Sequence, residues 1–567
     1  MENSKKVFAC RAGEGILLLL LAVWITGGIP WFPKAWLGYF DFHPKVYRKL
    51  LTFAVGVAVF LGVALLEWAR RDGTVTRASL LVKIEESWKA HAAFWIAGIF
   101  FVFGSLWTVS SCFRHESLNS GFDMAIFTQA ISNTARGDWF YSSIKGGISL
   151  LGDHFAPLLA VYAMPYKIWP DPDLLLGIQA FGAASCVFPL AKIVRRTGQS
   201  QAWAVLFCVL YVLYLPVRNS VRFEFHPEVP AMPFFFWAFA FLQDKKMGLT
   251  TIFLALALMA KENVATVVFG FGFYAVFFAP SPAPTPGTCS DRAFWGPARL
   301  WGIGWMVASV LYFYAVVHLF IPELSGAPYA YLSGNFTEWL HAGWGPFMKH
   351  MGQASTFSYL AKIYGPLAFT SVLAPASVVL TLPTLAQNLL SRNEMTRSVL
   401  FQYTSTLTPV VFIASVMSLA KVRLNRRYWA YLLLVTSVLT SGVSEVYHAR
   451  RYWRQITPHV RMVKKILAAI PSSSSLRTHE FFAAHATVRK ELHIYENNNP
   501  KEGGSWKARH TDLVAIDRMR LEAGFDAARR DLERSGFLAV FEQNGFVLFE
   551  KADSRVDLSD SLKKFRS

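Results

Sequence analysis

The chain is poor in charge: of its 567 residues only 16% are Asp, Glu, Lys or Arg, while 53% are apolar. Soluble globular chains carry about 25% charged residues, so a single water-soluble domain is excluded. Cysteine is scarce as well. Cys10, Cys112, Cys186, Cys208 and Cys289 are scattered and odd in number, which argues against a disulfide framework and against zinc held by C-x-x-C spacing. No repeat of fixed period and no nucleic-acid-binding motif is found. The excess of 56 Lys and Arg over 37 Asp and Glu is the kind that holds loops against an anionic membrane face.

What the chain has instead is a succession of apolar runs long enough to cross a bilayer. They predict an α-helical polytopic membrane protein of about thirteen spans, near 14–31, 49–68, 91–110, 173–194, 200–217, 228–243, 248–260, 263–280, 300–320, 357–374, 376–391, 398–420 and 426–444. Lys261 and Glu262 interrupt 248–280, and Pro375 and Pro383 break 357–391, so each is read as one kinked or two short helices. The first run follows Lys5, Lys6 and Arg11 as in a signal peptide. Ile29, Pro30, Trp31 and Phe32 stand where a cleavage pattern of small residues would be needed, so it reads as an uncleaved span. The loops then assigned to the inside hold 19 Lys and Arg, more than the outer loops, which are nearly twice as long. This places the N-terminus inside and the C-terminus outside the membrane. Loop 32–49, with Lys34, Lys45, Arg48 and Lys49, is the exception.

Three parts follow. Residues 1–90 hold two additional N-terminal spans and a basic cytoplasmic loop, and 91–444 form the main membrane domain. Residues 445–567 hold 22 of the basic and 16 of the acidic residues and read as a small extracytoplasmic α/β domain. In it, strands are expected at 492–495, 513–516, 537–541 and 546–549, with a helix at 525–535 and a hairpin turn at Asn544-Gly545. The connection 111–172 is unusually long for a helical bundle, and such loops tend to carry function. Phe122, Ile126, Phe127, Ala130 and Ile131 recur at helical spacing and 155–169 is aromatic and apolar, so two helices are expected to lie along the outer membrane surface.

Ionisable residues beside apolar spans are costly and mark candidate sites. Asp123 opens the first surface helix, as a general base for a hydroxyl or as a cap for the helix. Asp153 and His154, with Glu224, His226 and Glu228 around Pro227, offer acid/base groups, substrate contacts, a solvated turn or ligands for a divalent cation. The cation candidates are Asp153, His154, His226 and Glu228. Lys261 and Glu262 end an apolar helix, to meet an anionic headgroup or phosphate or to pair with each other. Arg222 lies just before the Glu224 cluster.

Phe122-Asp123-Met124 with Ile126-Phe127 and Gln129, then Gly152-Asp153-His154-Phe155, Phe225-His226-Pro227-Glu228 and Lys261-Glu262 occur in that order. Over residues 90–550 this resembles an uncharacterised family of bacterial predicted membrane proteins related to GT-C glycosyltransferases. Thr128 replaces an acid or amide of many relatives, and Glu224 replaces a commoner Asp. The resemblance implies a GT-C-like fold and transfer of a sugar from a polyprenyl-phosphate donor to an acceptor at the outer face, with inversion. It implies Asp123 as base, assisted by Asp153 and His154. Lys261 and Arg222 would be counter-charges to the lipid phosphate, and Glu224, His226, Glu228 and Glu262 would lie around the substrate. Two other functions fit the residues: a lipid or small-solute transporter, given the Pro-broken spans, and a non-catalytic envelope scaffold.

Overall fold

A computed structural model describes residues 80–278, 296–332, 343–422, 426–442, 444–495, 511–521 and 524–554, with the isolated positions 12, 335–336 and 556. The two spans expected before residue 80 lie outside the described residues. Among those described, five helical stretches are long and apolar enough to cross a membrane: Ala92–Glu116, Pro172–Arg196, Pro297–Ser325, Gln402–Lys421 and Arg426–Trp453. A sixth arises if Gln201–Leu213 and Leu215–Arg222, bent by 51°, form one span. Four more apolar helices, Met232–Gln243, Met247–Leu258, Glu262–Phe278 and Val378–Leu390, are shorter. Among the described residues, the runs expected as spans thus form a mixture of long, short and broken helices.

The breaks have local causes. Proline at the start of Leu215–Arg222 suits a first helical turn but cannot continue the preceding ladder. Lys261 is extended, at φ −171° and ψ 153°, so 248–280 is two helices. The span expected at 357–374 is overturned. Helix Ala354–Tyr364 is followed by two 3-10 turns, Gly365–Leu367 and Thr370–Val372, with Ala368 and Phe369 left-handed between them.

Helices Ala265–Phe278 and Pro297–Ala315 touch through facing glycines. A Cβ on Gly272 would meet the Gly302 carbonyl oxygen at 2.6 Å, and the reverse distance is equal. Such close approach of backbones is how membrane helices gain packing without a hydrophobic drive. Gly302→Leu should force them apart and lower stability by about 1–3 kcal/mol, read as a lower melting temperature in mild detergent. An unchanged value would show that the helices do not pack this way.

The long connection contains helix Phe122–Arg136, ended by Gly137 at φ +102°, and a two-stranded hairpin of β1 (Tyr141–Ser142) and β2 (Ile148–Ser149). A second helix, Leu159–Ile168, follows. It starts later than expected and leaves Val161, Met164, Ile168 and Trp169 exposed.

The C-terminal sheet contains β3 (Leu476–Thr478), β4 (Leu492–Ile494), β5 (Leu513–Asp517), β6 (Phe537–Gln543) and β7 (Phe546–Lys551), in the spatial order β4-β3-β5-β7-β6. Strands β4, β3 and β5 are parallel, while β7 and β6 are antiparallel additions. Asn544 and Gly545 are both left-handed, at φ 51° and 84°, the conformation a two-residue hairpin requires. Helix Phe525–Arg534 buries Phe525, Ala528 and Leu532 with Val514, Ile516, Val547 and Phe549. Strand β3 went unpredicted: Leu-Arg-Thr after a serine run has no alternation to read.

This sheet unit sits along helix Phe122–Arg136. The Gln129 amide donates to Ser143 Oγ at 2.8 Å and to the Lys490 carbonyl at 3.0 Å. Ser143 Oγ donates to the Leu492 carbonyl and accepts from its amide. The C-terminal unit thus adds polar contacts that help to fix the helix.

Candidate functional site

Asp123 lies in the first turn of helix Phe122–Arg136, but it is not the cap. Gly121 holds that position and offers no side-chain hydrogen bond. The capping oxygens come from Glu224, whose Oε1 accepts from the Gly121 amide at 2.7 Å and Oε2 from the Met124 amide at 2.8 Å. Both Glu224 oxygens are therefore engaged by the helix end, with Arg114 at 3.5 Å. Its observed contacts orient Asp123; none of them is the substrate contact expected from the sequence.

Asp123 Oδ2 is 3.4 Å from His226 Nε2. The His226 ring is buried, stacked on Phe223 and edge-on to Phe127. Its Nδ1 lies 3.0 Å from the Glu224 carbonyl, which can only accept, so Nδ1 carries a proton and Nε2 is the nitrogen aimed at Asp123. Burial alone would raise the Asp123 carboxyl, but the hydrogen bond and charge of His226, aided by Lys261 and His154, bring it down to about 2. The imidazole responds in the opposite sense. Burial opposes its charge, yet Asp123 and Glu228 raise it above 6.5. Each shift favours the charged form of its group, with the carboxylate facing an imidazole whose protonated state the pairing supports.

Lys261 does not pair with Glu262. Its Nζ is 3.4 Å from Glu228 Oε1, and both side chains are buried. Burial disfavours the ammonium, but Glu228 and Glu262 more than offset this and hold it charged. Glu228 Oε2 has no partner among the described residues. Glu262 turns to the long connection, where Oε1 lies 3.1 Å from His154 Nδ1 and accepts from Tyr329 Oη at 2.7 Å. Its Oε2 accepts from the Phe155 amide at 2.9 Å. His154 stacks on Tyr331, and Asp153 Oδ2 is 3.1 Å from Lys145 Nζ. Charge on Asp153, Lys261 and Asp123 reaches the Tyr331 hydroxyl.

Arg222 belongs elsewhere. It binds Glu445 at 3.0 and 3.2 Å, and Arg218 reaches the same carboxylate at 2.9 Å. This is a buried ion cluster rather than a counter-charge waiting for a ligand. The divalent cation fares no better. Among the described residues no three His, Cys, Asp or Glu side chains converge on a metal position. The expected ligands are divided, with His226 on Asp123, Glu228 on Lys261, Asp153 on Lys145 and His154 on Glu262, so this donor set does not fit a metal.

Lys145, Tyr329, Tyr331 and Glu445 went unsingled in the sequence. They sit in stretches that look like ordinary loops, and only the fold brings them to these charges. Tyr329 also borders an open cavity of about 550 Å³ walled by Val317, Pro322, Ala327 and Leu332.

Exposure ranks the acids. Asp123 keeps 39% of its side-chain surface open, against 7% for Glu224, 3% for Glu228 and 2% for Glu262. With Asp153 at 15%, Asp123 is the most open of these carboxylates, held by His226 near a buried ammonium whose charge it feels.

No match was found among curated proteins. Two solved structures are similar to the chain: ArnT from Cupriavidus metallidurans bound to undecaprenyl phosphate, and the same protein in the apo state. They are each 12% identical, with TM-scores of 0.49 and 0.48, covering 81% of this chain and 98% of theirs. Residues 114–548, most of the chain and every candidate residue above, match the family described as predicted membrane protein (DUF2079), and the chain belongs to that family.

Proposed function

We propose that the protein is a membrane glycosyltransferase that moves a sugar from a polyprenyl-phosphate donor to an acceptor at the outer face of the cytoplasmic membrane. The observation that carries this reading is Asp123: an accessible carboxylate on a helix set beside membrane spans, fixed by the His226 imidazolium. The order of sequence motifs from Phe122 to Glu262, which resembles that of GT-C relatives, supplies the reaction class. In the transfer, the acceptor hydroxyl oxygen attacks the anomeric carbon while the bond to phosphate oxygen breaks. The electron pair leaves with the phosphate, the hydroxyl proton passes to Asp123, and the anomeric centre inverts. A carboxylate this acidic is a weak base in the ground state. It suffices for a late transfer, when positive charge on the sugar has already made the attacking hydroxyl acidic.

Lys261 is assigned to the leaving phosphate, since a fixed cation in a partly dry site stabilises developing negative charge. Its partner Glu228 carries one unpaired oxygen, so the local charge is balanced until a further anion arrives. Glu262, which accepts from Tyr329 at the cavity, is assigned with Asp153 and His154 to sugar hydroxyls or to the donor. In this reading the N-terminus is inside and the C-terminal α/β unit outside.

The test is mass spectrometry of lipids retained by gently purified protein, followed by incubation with a crude pool of lipid-linked sugars. Retained polyprenyl phosphate and loss of sugar from the pool are expected. Folded protein showing neither would overturn the reading.

A further inference from the structure

The helix that carries Asp123 begins at a glycine with no cap of its own, so its first amide groups must find acceptors elsewhere. Glu224 takes the amides of Gly121 and Met124. Of the two amides between them, that of Phe122 interacts with the Glu480 carboxylate and favours its charged form. Glu480 belongs to the C-terminal unit, where it opens a short helix just past the carboxyl end of β3. Its carboxylate and that of Glu224 flank Gly121 from two sides, each 3.4 Å from the place a Cβ would occupy there. Glycine at 121 leaves room for both.

Glu480 is itself held in place. The Arg520 guanidinium lies over the neighbouring Phe481 ring at 4.5 Å and donates to the Leu118 carbonyl at 2.6 Å, in the strand of chain that leads to Gly121. His485 stacks on His115 at 3.9 Å, and its Nε2 is 3.0 Å from the His115 carbonyl. The face of the C-terminal unit that presents Glu480 is therefore bound at several points to the chain that precedes the Asp123 turn, and the Lys490 carbonyl accepts from Gln129 in the helix that follows it. Burial, followed by the charges of Glu224 and Asp123, raises the Glu480 carboxyl. That cost is tolerated at a helix N-terminus, where amide groups favour a negative partner.

We propose that Glu480 is a positioning residue of the transfer site, by which the C-terminal unit sets the place of Asp123. It sets a second carboxylate against Gly121, opposite Glu224, and shares with Glu224 the task of fixing the first turn. The inference rests on the glycosyl-transfer reading for its kinetic consequence but not for its structural one. Removing the carboxylate frees the first turn, and a base displaced by about an ångström loses about 10²-fold in rate.

The experiment compares full-length wild type, Glu480→Ala and Glu480→Gln in mild detergent, by transfer kinetics and by amide hydrogen exchange over 117–126. Glu480→Ala is expected to lower kcat by about 10²-fold with the donor KM unchanged and to speed exchange in that segment. Glu480→Gln, which keeps an oxygen for the Phe122 amide, is expected to recover most of both. Wild-type kcat or unaltered exchange in Glu480→Ala would overturn the proposal, as would loss of kcat in Glu480→Gln with exchange still slow. If wild type itself transfers no sugar while Glu480→Ala still speeds exchange over 117–126, the positioning role stands and the glycosyl-transfer reading falls.

Discussion

Asp123→Asn should abolish most sugar transfer, by about 10²–10⁴-fold in kcat, in a protein that folds and purifies like wild type. The amide keeps the volume of the carboxylate and stays within reach of His226 Nε2, but it cannot accept the acceptor's proton. Little stability is at stake because the side chain is 39% exposed and a pair so open to solvent is screened. The pH profile gives a second reading of the same group. The carboxyl is held down to about 2, so it remains ionised above about pH 3 and sets no acid limb there. A limb centred at or above the ordinary 3.8 would mean that His226 does not hold Asp123. On the other side, His226 is charged below its raised value and loses its proton as pH rises through it. Any stabilisation from the pair is therefore fully present between about pH 4 and 6.5, fades as pH rises through the raised imidazole value, and is lost as pH falls toward about 2. A wild-type transfer rate in Asp123→Asn would remove Asp123 from the chemistry.

Lys261→Met should be the most damaging single change to the fold. It leaves Glu228 buried with no cation, a situation that costs about 3–5 kcal/mol. Adding Glu228→Gln removes the stranded charge, so the double variant should regain most of the melting temperature, since a buried ion pair contributes little net against neutral groups of similar size. Transfer should not return with it, because the phosphate would still lack its counter-charge. Recovery of both stability and transfer would show that Lys261 serves only to neutralise Glu228. Failure of the double variant to regain stability would show that the pair is held by more than its mutual charge.

The long spans were legible because hydropathy alone identifies an apolar run of the right length, and Ala92–Glu116 and Pro297–Ser325 cover the windows expected for them. Where proline or glycine interrupts the run, as at Gly365-Pro366, composition still reads as membrane while the backbone has already left the helix. The candidate site divides the same way. Charges standing among apolar residues were visible as a set, and the structure brings Asp123 to His226 and His154 to Glu262. Pairings were not visible. Lys261 has Glu262 beside it in sequence and chooses Glu228, 33 positions earlier, because the extended backbone at Lys261 turns consecutive side chains apart. Glu445 and Glu480 had no signal at all, each lying in a stretch whose mixed charge looks like ordinary solvated surface.

Contacts that close over long stretches of chain form late, and the helix bearing Asp123 depends on several of them. Ser143 waits for Leu492, 349 positions on, and Leu118 for Arg520, 402 positions on. A nascent chain can insert its spans in order, yet the turn that aims the carboxylate stays loose until the last strands have been synthesised and folded against it. Under the proposed transfer, premature chemistry on the lipid carrier is thereby avoided during biogenesis, and a molecule truncated before β5 is expected to insert its helices without an aimed carboxylate.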